Sequence, residues 1–599
     1  MNGERSEARN RHKSSRMGDQ PMLTQYTILL KNRREGFLLM IKLKRVVSFV
    51  AASIMLLSTF QAALAVDIEP TVAADGMRNL ASGISYSFTH QPPDENYPDD
   101  GTKLTDGKYG DANDFMDPNW TALLKGKTRE IIFDLGESKS IGKIKSHFLY
   151  NHEVGIYTPE IVSYYASEDG MNWAPVKYMN SPVPLWTNIP TAAYDYVWDA
   201  AVDRVPHPSS QAKKIYARYV KIAVTTEIWV FMDEVEIWGV DGKTADAYAL
   251  RPVTPSYLKP GNDTAGIHDL WLMYNSMYSN DRGNWTKEKL MPYVSYVDNN
   301  GEPQDWMYDG TLLLGIRTAD YQRDFGINAV LDDWKWYLDK MFKPGGDLSE
   351  LNAAVTEAGN KLNDSHHKMK VVIMIPNPGE TISNFGDVDG DGISENFVPS
   401  DVGADQSFTN RKKAVDWYLD QVRTKWMKGR YDRLELVGMY WMAESMGRDN
   451  SSDEKLVKYA GDIVHKRGQK LFWVPNFGGN RNYAARAIGF DATALQPNHY
   501  WGGTNPDRIE DAAYLAKHHG LGIEMEMDED AFTNDASRGY YIDYLNGGVD
   551  FGYMNEAFMA YYQGVDALLD SSRSSDPRIR ELYDWMYQFV KGTYQKQPR

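Results

Sequence analysis

Residues 520–530 read GLGIEMEMDED. As a β-strand, period-two alternation sets Ile523, Met525 and Met527 on one face and Glu524, Glu526 and Asp528 on the other. Carboxylates about 6.6 Å apart along a strand repel one another, and the repulsion grows as the local dielectric falls. Such a face is either open to solvent or part of a site.

What surrounds the strand decides between the two. β-like runs recur at 267–275 (IHDLWLMYN), 309–316, 370–377, 434–444 (LELVGMYWMAE), 470–477, 492–501, 521–528 and 550–558 (DFGYMNEAF). Helical periodicity falls between most of them, at 328–342, 347–363, 408–428, 453–467, 507–518 and 535–546, and again at 576–593, where Ile579, Leu582, Trp585, Met586 and Val590 share a stripe. Eight strands alternating with helices over about 330 residues predict a (β/α)8 TIM barrel. An open doubly wound sheet is the alternative, and the missing G-x-G-x-x-G fingerprint counts against its nucleotide-binding versions. In a barrel the apolar face of 521–528 packs under helices and the carboxylates face the axis, with Glu524 deeper, Glu526 near the rim and Asp528 in the following loop. The strand cores hold no basic partner beyond Lys370 and Lys470 at their edges, so these acids read as functional.

Acid–base chemistry needs a second acid, and the fourth run offers one. Glu444 ends the fourth run on the alternation face of Tyr440 and Met442, and its other reading is a cap for the next helix. The expected catalytic set is Glu444 as acid/base and Glu526 as nucleophile, with Glu524 as its alternate and retention favoured over inversion. Rim positions expected to bind substrate are Tyr274 and Asn275, Asp309, Asn377, Trp473 and Asn476. His499 and Trp501, Asp528, Tyr553 and Glu556 complete them. Neutral amides, one imidazole and indole faces suit a polyol ligand.

Upstream, between Met77 and Gly239, short alternating segments are broken by turn signals, the pattern of an antiparallel β-sandwich. The motifs NLASG (79–83), LTDGKYGD (104–111), IIFDLGESKSIGKI (131–144), YYASEDGMNW (164–173), ARYVKI (217–222) and FMDEVEIWG (231–239) resemble the discoidin, or coagulation factor 5/8 type C, family of jelly-roll modules. The resemblance implies a carbohydrate-binding module, with Asp106 and Glu234 where that family's structural calcium draws ligands. Trp120 and Trp229 are the aromatic residues considered for its ligand loops. Residues 241–265, with Pro252, Pro255, Pro260 and Gly261, read as a linker. The segment from about 266 to 593 resembles a bacterial family known as domain of unknown function 4855, through HDLWLMYN (268–275), GIEMEMDED (522–530) and NEAFMAYYQG (555–564). Carboxylates closing strands four and seven also resemble the retaining hydrolases of the large barrel clan. That clan carries Asn-Glu on strand four, whereas Ala443 precedes Glu444 here.

Residues 386–397, GDVDGDGISENF, place Asp387, Asp389 and Asp391 at odd spacing before Gly392, with Glu395 beyond, as in the first nine positions of a calcium loop; Val398 stands at the twelfth. Calcium is thus the expected structural cofactor, and no organic cofactor is expected. From Met40 a basic stretch, an apolar run over Val46–Phe60 and Ala63-Leu64-Ala65 read as a secretory signal, with 1–39 an over-extended start. The mature chain is then an extracellular bacterial protein without a membrane anchor, which accords with its 0 Cys. Removing 1–65 takes away 11 basic and 4 acidic residues, a net +7, and moves the formal charge from −17 to −24. Such a surface repels polyanions, which excludes nucleic acid as a natural partner and leaves a polysaccharide or glycan. The reading is a secreted glycoside hydrolase with an appended sugar-binding module. Its alternatives are a non-catalytic polysaccharide-binding or adhesion protein and a metal-dependent carbohydrate deacetylase or lyase.

Overall fold

A computed structural model describes residues 76–183, 188–226, 228–276, 282–447, 452–504 and 506–599; the expected start and signal segments, 1–65, lie outside the described residues. The first domain is an antiparallel β-sandwich organised by one 22-residue strand, Arg129–Tyr150. Its first part pairs with Lys214–Val224 and Tyr86–Phe88, its second with Trp229–Val240 and Ala192–Asp199. The register against Lys214–Val224 shifts between Asp134 and Lys139, a bulge in which Gly136 takes φ 79°. Inward residues of these strands, among them Phe133, Ile144, Phe148, Trp198, Ile222 and Ile237, make one apolar core.

The second domain is a closed barrel of eight parallel strands: β1 Asp269–Tyr274, β2 Gly310–Leu314, β3 Met369–Ile375, β4 Leu434–Trp441, β5 Lys470–Trp473, β6 Ala492–Leu495, β7 Gly522–Glu526 and β8 Met559–Tyr562. The TIM-barrel expectation is met, with one strand displaced. Residues 550–558 are not the eighth strand: the helix Asp535–Phe551 runs on into a short helix at Tyr553–Glu556, and the ladder forms at Met559–Tyr562 against Ile523–Glu526. Register carries the alternation around the barrel. Tyr440 pairs with Phe472, Phe472 with Ala492, Ala494 with Gly522 and Glu524 with Ala560, so these side chains share the inner face. Ile523 and Met525 take the outer face and are buried. The floor is closed by aromatic rings. Phe472 and Phe558 lie 6.0 Å apart, and their neighbours Gly438 and Gly522 leave no room for a Cβ, which would meet Phe472 at 2.5 Å and the Phe558 carbonyl at 2.1 Å. No helix among the described residues is long and apolar enough to cross a membrane.

The sandwich docks on the barrel through buried polar contacts. Asp511 on the helix Arg508–His519 accepts from both Thr128 N and Thr128 Oγ1 at 2.7 Å, and Tyr514 donates to Glu130 at 2.9 Å. The connecting segment joins both domains: Ala247–Tyr248 pairs with Lys214–Ile215, and Leu258 bonds to the Leu521 carbonyl and accepts from Phe558 N. Residues 251–256 form its longest continuous exposed stretch. Limited proteolysis is therefore expected to cut at 251–256 and leave two fragments that still co-elute on size exclusion; separation of the fragments after cleavage would show that the buried contacts do not hold the domains.

Candidate active site

Glu526 closes β7 with its side chain toward the barrel mouth and 0% exposed. It is held by donors on every side. Asn498 N and Nδ2 reach Oε1 at 3.2 and 3.3 Å, His499 N reaches Oε2 at 3.2 Å, and the Tyr544 hydroxyl donates to the same oxygen. Asn498 has φ 53°, a left-handed conformation in which consecutive backbone N–H groups converge on one anion. Burial nevertheless pushes the Glu526 carboxyl up to about 7, against the pull of Tyr544 and the backbone donors.

Glu524, two residues deeper and 3% exposed, is the opposite case. Burial, then the like charges of Glu526 and Glu444, push its carboxyl well above the usual carboxylate range. Glu444 stands just past the end of β4, open to water within a ring of protein. Crowding raises its carboxyl, chiefly by desolvation and with Asp324 adding repulsion, while hydrogen bonds from Gln496 and Asn476 pull it back toward ionisation. Because water reaches Glu444 and not Glu524, the desolvation counts for less at Glu444, and the proton belongs on Glu524. Tyr440, on the inner face between them, feels both charges.

The other expected residues divide by position. Tyr274 lines the mouth, edge-on to Tyr562 at 5.5 Å. Asn377 closes the loop after β3 against the loop after β2, donating to Gly326 O at 2.8 Å. Asp528 accepts from Tyr500 at 2.9 Å, and burial raises it to about 6. His499 supplies its backbone N–H to Glu526, while its ring is engaged by Thr504 (2.8 Å) and Asp543 (3.0 Å). Trp501 occupies a turn after β6 and is half-buried. Asn275 and Trp473 belong to the shell outside the strands: Asn275 bonds Tyr337 and Asp347, and Trp473 stacks on Phe490 at 4.6 Å. Asp309, Tyr553 and Glu556 are corrected to the opposite end of the barrel. Asp309 precedes β2 and caps the backbone of His268 and Asp269; Tyr553 and Glu556 precede β8, Tyr553 donating to the Tyr544 carbonyl. Tyr544, Asn498, Gln496 and Asp324 were not expected. Of these only Asn498 carries a local signal, as a Pro-Asn step after an apolar run.

Oxygen ligands converge at one place among the described residues: Asp387, Asp389 and Asp391 present carboxylate oxygens within 4.8 Å of one another, a donor set that fits a hard cation. Glu395 stands apart from that trio, accepting from Val388 N and Lys413, and Lys413 also pairs with Asp389 at 2.7 Å. In the sandwich, Glu234 is 1% exposed, accepts from Gly107 N at 3.0 Å through Oε2, and leaves Oε1 buried without a partner. Burial lifts its carboxyl to about 8, and an orphaned oxygen of this kind also fits a cation. Asp106 beside it pairs with Lys108. Trp120 is core, 1% exposed and stacked on His147; Trp229 is half-buried against Tyr97 and Phe231.

Together these features define a two-domain protein, an antiparallel sandwich docked on a TIM barrel whose mouth gathers three carboxyl groups from two strands. Residues 269–588 match the family described as domain of unknown function (DUF4855), and the chain belongs to that family. A comparison with curated proteins gives no match. Among solved structures the chain is similar to chitosan-binding module 1 of a chitosanase/glucanase from Paenibacillus sp. IK-5 (15% identity, 27% of this chain and 98% of that one, TM-score 0.18). It is also similar to a Streptococcus pneumoniae fucose binding module (16% identity, 28% and 99%, TM-score 0.19).

A raised carboxyl loses stabilisation as pH climbs: Glu526 binds a proton up to about 7 when folded but only to about 4.3 when unfolded, so folding weakens across that window, and Glu524 acts in the same direction. Glu524→Gln, which removes the charge and keeps the shape, is expected to raise the melting temperature by about 2 °C or more at pH 8 and by less at pH 5. An equal change at both pH values would count against a buried titrating acid.

Proposed function

We propose that the barrel hydrolyses glycosidic bonds through Glu524 and Glu444, with Glu526 as the anchor that holds the end of β7. The observation that supports this is the contrast between two neighbouring acids: Glu524 is enclosed, with no basic partner among the described residues, whereas Glu444 lies open to water with Gln496 and Asn476 bonded to its carboxyl. A general acid beside an ionised carboxylate is what cleavage of an acetal requires. The acid protonates the leaving oxygen while the carboxylate attacks the anomeric carbon or draws a proton from water. We favour retention through a glycosyl-enzyme, which requires the two carboxyl groups to stand about 5–5.5 Å apart. Glu526, with four donors on its two oxygens, is a poor nucleophile, because attack would strip it of those bonds. The substrate class is a neutral glycan, in keeping with the negative charge of the chain and the tyrosines and amides at the mouth. Calcium at Asp387, Asp389 and Asp391, and at Glu234, would stabilise a loop after β3 and the sandwich; hydrolysis is routed through neither ion.

Kinetics on aryl glycosides separate the roles. Glu524→Gln is expected to keep kcat/KM on dinitrophenyl glycosides, whose leaving group needs no proton, while kcat falls because the glycosyl-enzyme lacks its base, and to lose kcat/KM by about 100-fold or more on alkyl glycosides; Glu444→Gln loses both. Equal loss on both substrates for Glu524→Gln would overturn the assignment. Glycan binding without product from the wild type across a broad panel would favour the non-catalytic reading. For the metal, melting curves with calcium and with EDTA should differ by several degrees in the wild type, a difference reduced by Glu234→Ala and by Asp387→Ala. Identical curves would remove the ion.

A further inference from the structure

Two loops build the walls around Glu444 and Glu526, and both lead back to the sandwich. The first, residues 476–481 after β5, is tied to the β4 end at several points. Asn476 N bonds to the Glu444 carbonyl at 3.3 Å, Asn480 N to Ser445 Oγ at 3.0 Å, Met446 N to the Asn480 carbonyl at 3.2 Å, and the Asn476 side chain to the Glu444 carboxyl. It is tied equally to the second loop, where Phe477 N donates to Asn498 Oδ1 at 2.8 Å, the side chain whose Nδ2 holds Glu526.

The outer side of the first loop faces the sandwich. Asn180, the last residue of the strand Ala174–Asn180, accepts from Arg481 N at 2.9 Å. Arg481 has φ 70°, a left-handed conformation that costs a non-glycine residue about 1 kcal/mol or more and persists only where its surroundings hold it. Glu160, buried just before the strand Ile161–Ser167, approaches the same loop so closely that a Cβ on Gly478 would lie 3.0 Å from its Oε1. Arg508 completes the path: buried at the start of its helix, it stacks on Phe477 at 3.7 Å, donates to Pro497 O, and has Glu160, Asp511 and Glu526 as its charged neighbours.

We propose that Glu160 and Asn180 of the sandwich are positioning residues for the barrel site, holding the 476–481 loop and Arg508 and, through them, Glu444 and the Asn498 cradle of Glu526. The sandwich is then a wall of the active site. This rests on the proposed hydrolase only for which residues count as the site; the mechanical coupling stands apart from the reaction.

Hydrogen exchange on the full chain tests it without a substrate. Asn180→Ala and Glu160→Gln are expected to speed exchange by about tenfold or more in peptides covering 476–484 and 496–500, with β1 to β3 unchanged. Asn180→Asp, which keeps the acceptor oxygen, should restore the wild-type rates. Tyr514→Phe, which breaks a different bond of the same interface, should act only within 508–519. Unchanged exchange at 476–484 and 496–500 in both Asn180→Ala and Glu160→Gln, or the same change in Tyr514→Phe, overturns the proposal. If Asn180→Ala fails to fold, Glu160→Gln decides by the same peptides. On a small aryl glycoside, too short to bridge to the sandwich, Asn180→Ala should lower kcat with KM within about twofold. A wild type that turns over no glycoside defeats the hydrolase reading and leaves the exchange result to decide the positioning.

Discussion

Glu526 is a carboxyl group enclosed in protein, and the top of the barrel is arranged around that fact. An unpaired buried carboxylate costs several kcal/mol, and a single basic partner would restrict it to one ion pair. Four donors from the loop after β6 and the helix after β7 answer the charge instead. Each requires its backbone to take a particular course: Asn498 turns left-handed, Tyr544 faces inward from its helix, and the loop after β5 follows because its own N–H completes Asn498. Among the described residues Glu524 has neither donors nor a counter-ion, so its neutral form is the one the interior tolerates.

The difference between the two acids is thus one of neighbours rather than of depth alone. Both are nearly inaccessible, both arise from one strand, and both are raised. Donors surround one and repulsion the other. That gradient across one strand gives two like-charged neighbours different surroundings, donors about Glu526 and repulsion about Glu524. It also places the sandwich in the same framework, since the loops that supply the donors lean on Asn180 and Glu160.

Much of this was legible in residue order. Alternation in GIEMEMD set the two glutamates on the inner face and the methionines under helices, and the register confirms that arrangement around the barrel. The rhythm of strands and helices led to the barrel. What alternation could not supply was the exact end of each strand and the direction of residues just beyond it. DFGYMNEAF reads as a strand because its aromatics alternate, yet tertiary packing continues the helix to Phe551 and the ladder begins at Met559. Asp309 was assigned to the rim although it begins its strand, which places it at the floor. Asn275 and Trp473 lie one step out of phase with the inner face. Tyr544 and Arg508 hold the site from helices whose spacing reads as ordinary packing, and their partners are distant in sequence.

The aromatic floor carries a last implication. Phe472 and Phe558 fill the space that Gly438 and Gly522 leave open, so the barrel has no passage along its axis. With the floor filled, the inner-face glutamates Glu524 and Glu526 stand toward the C-terminal ends of the strands.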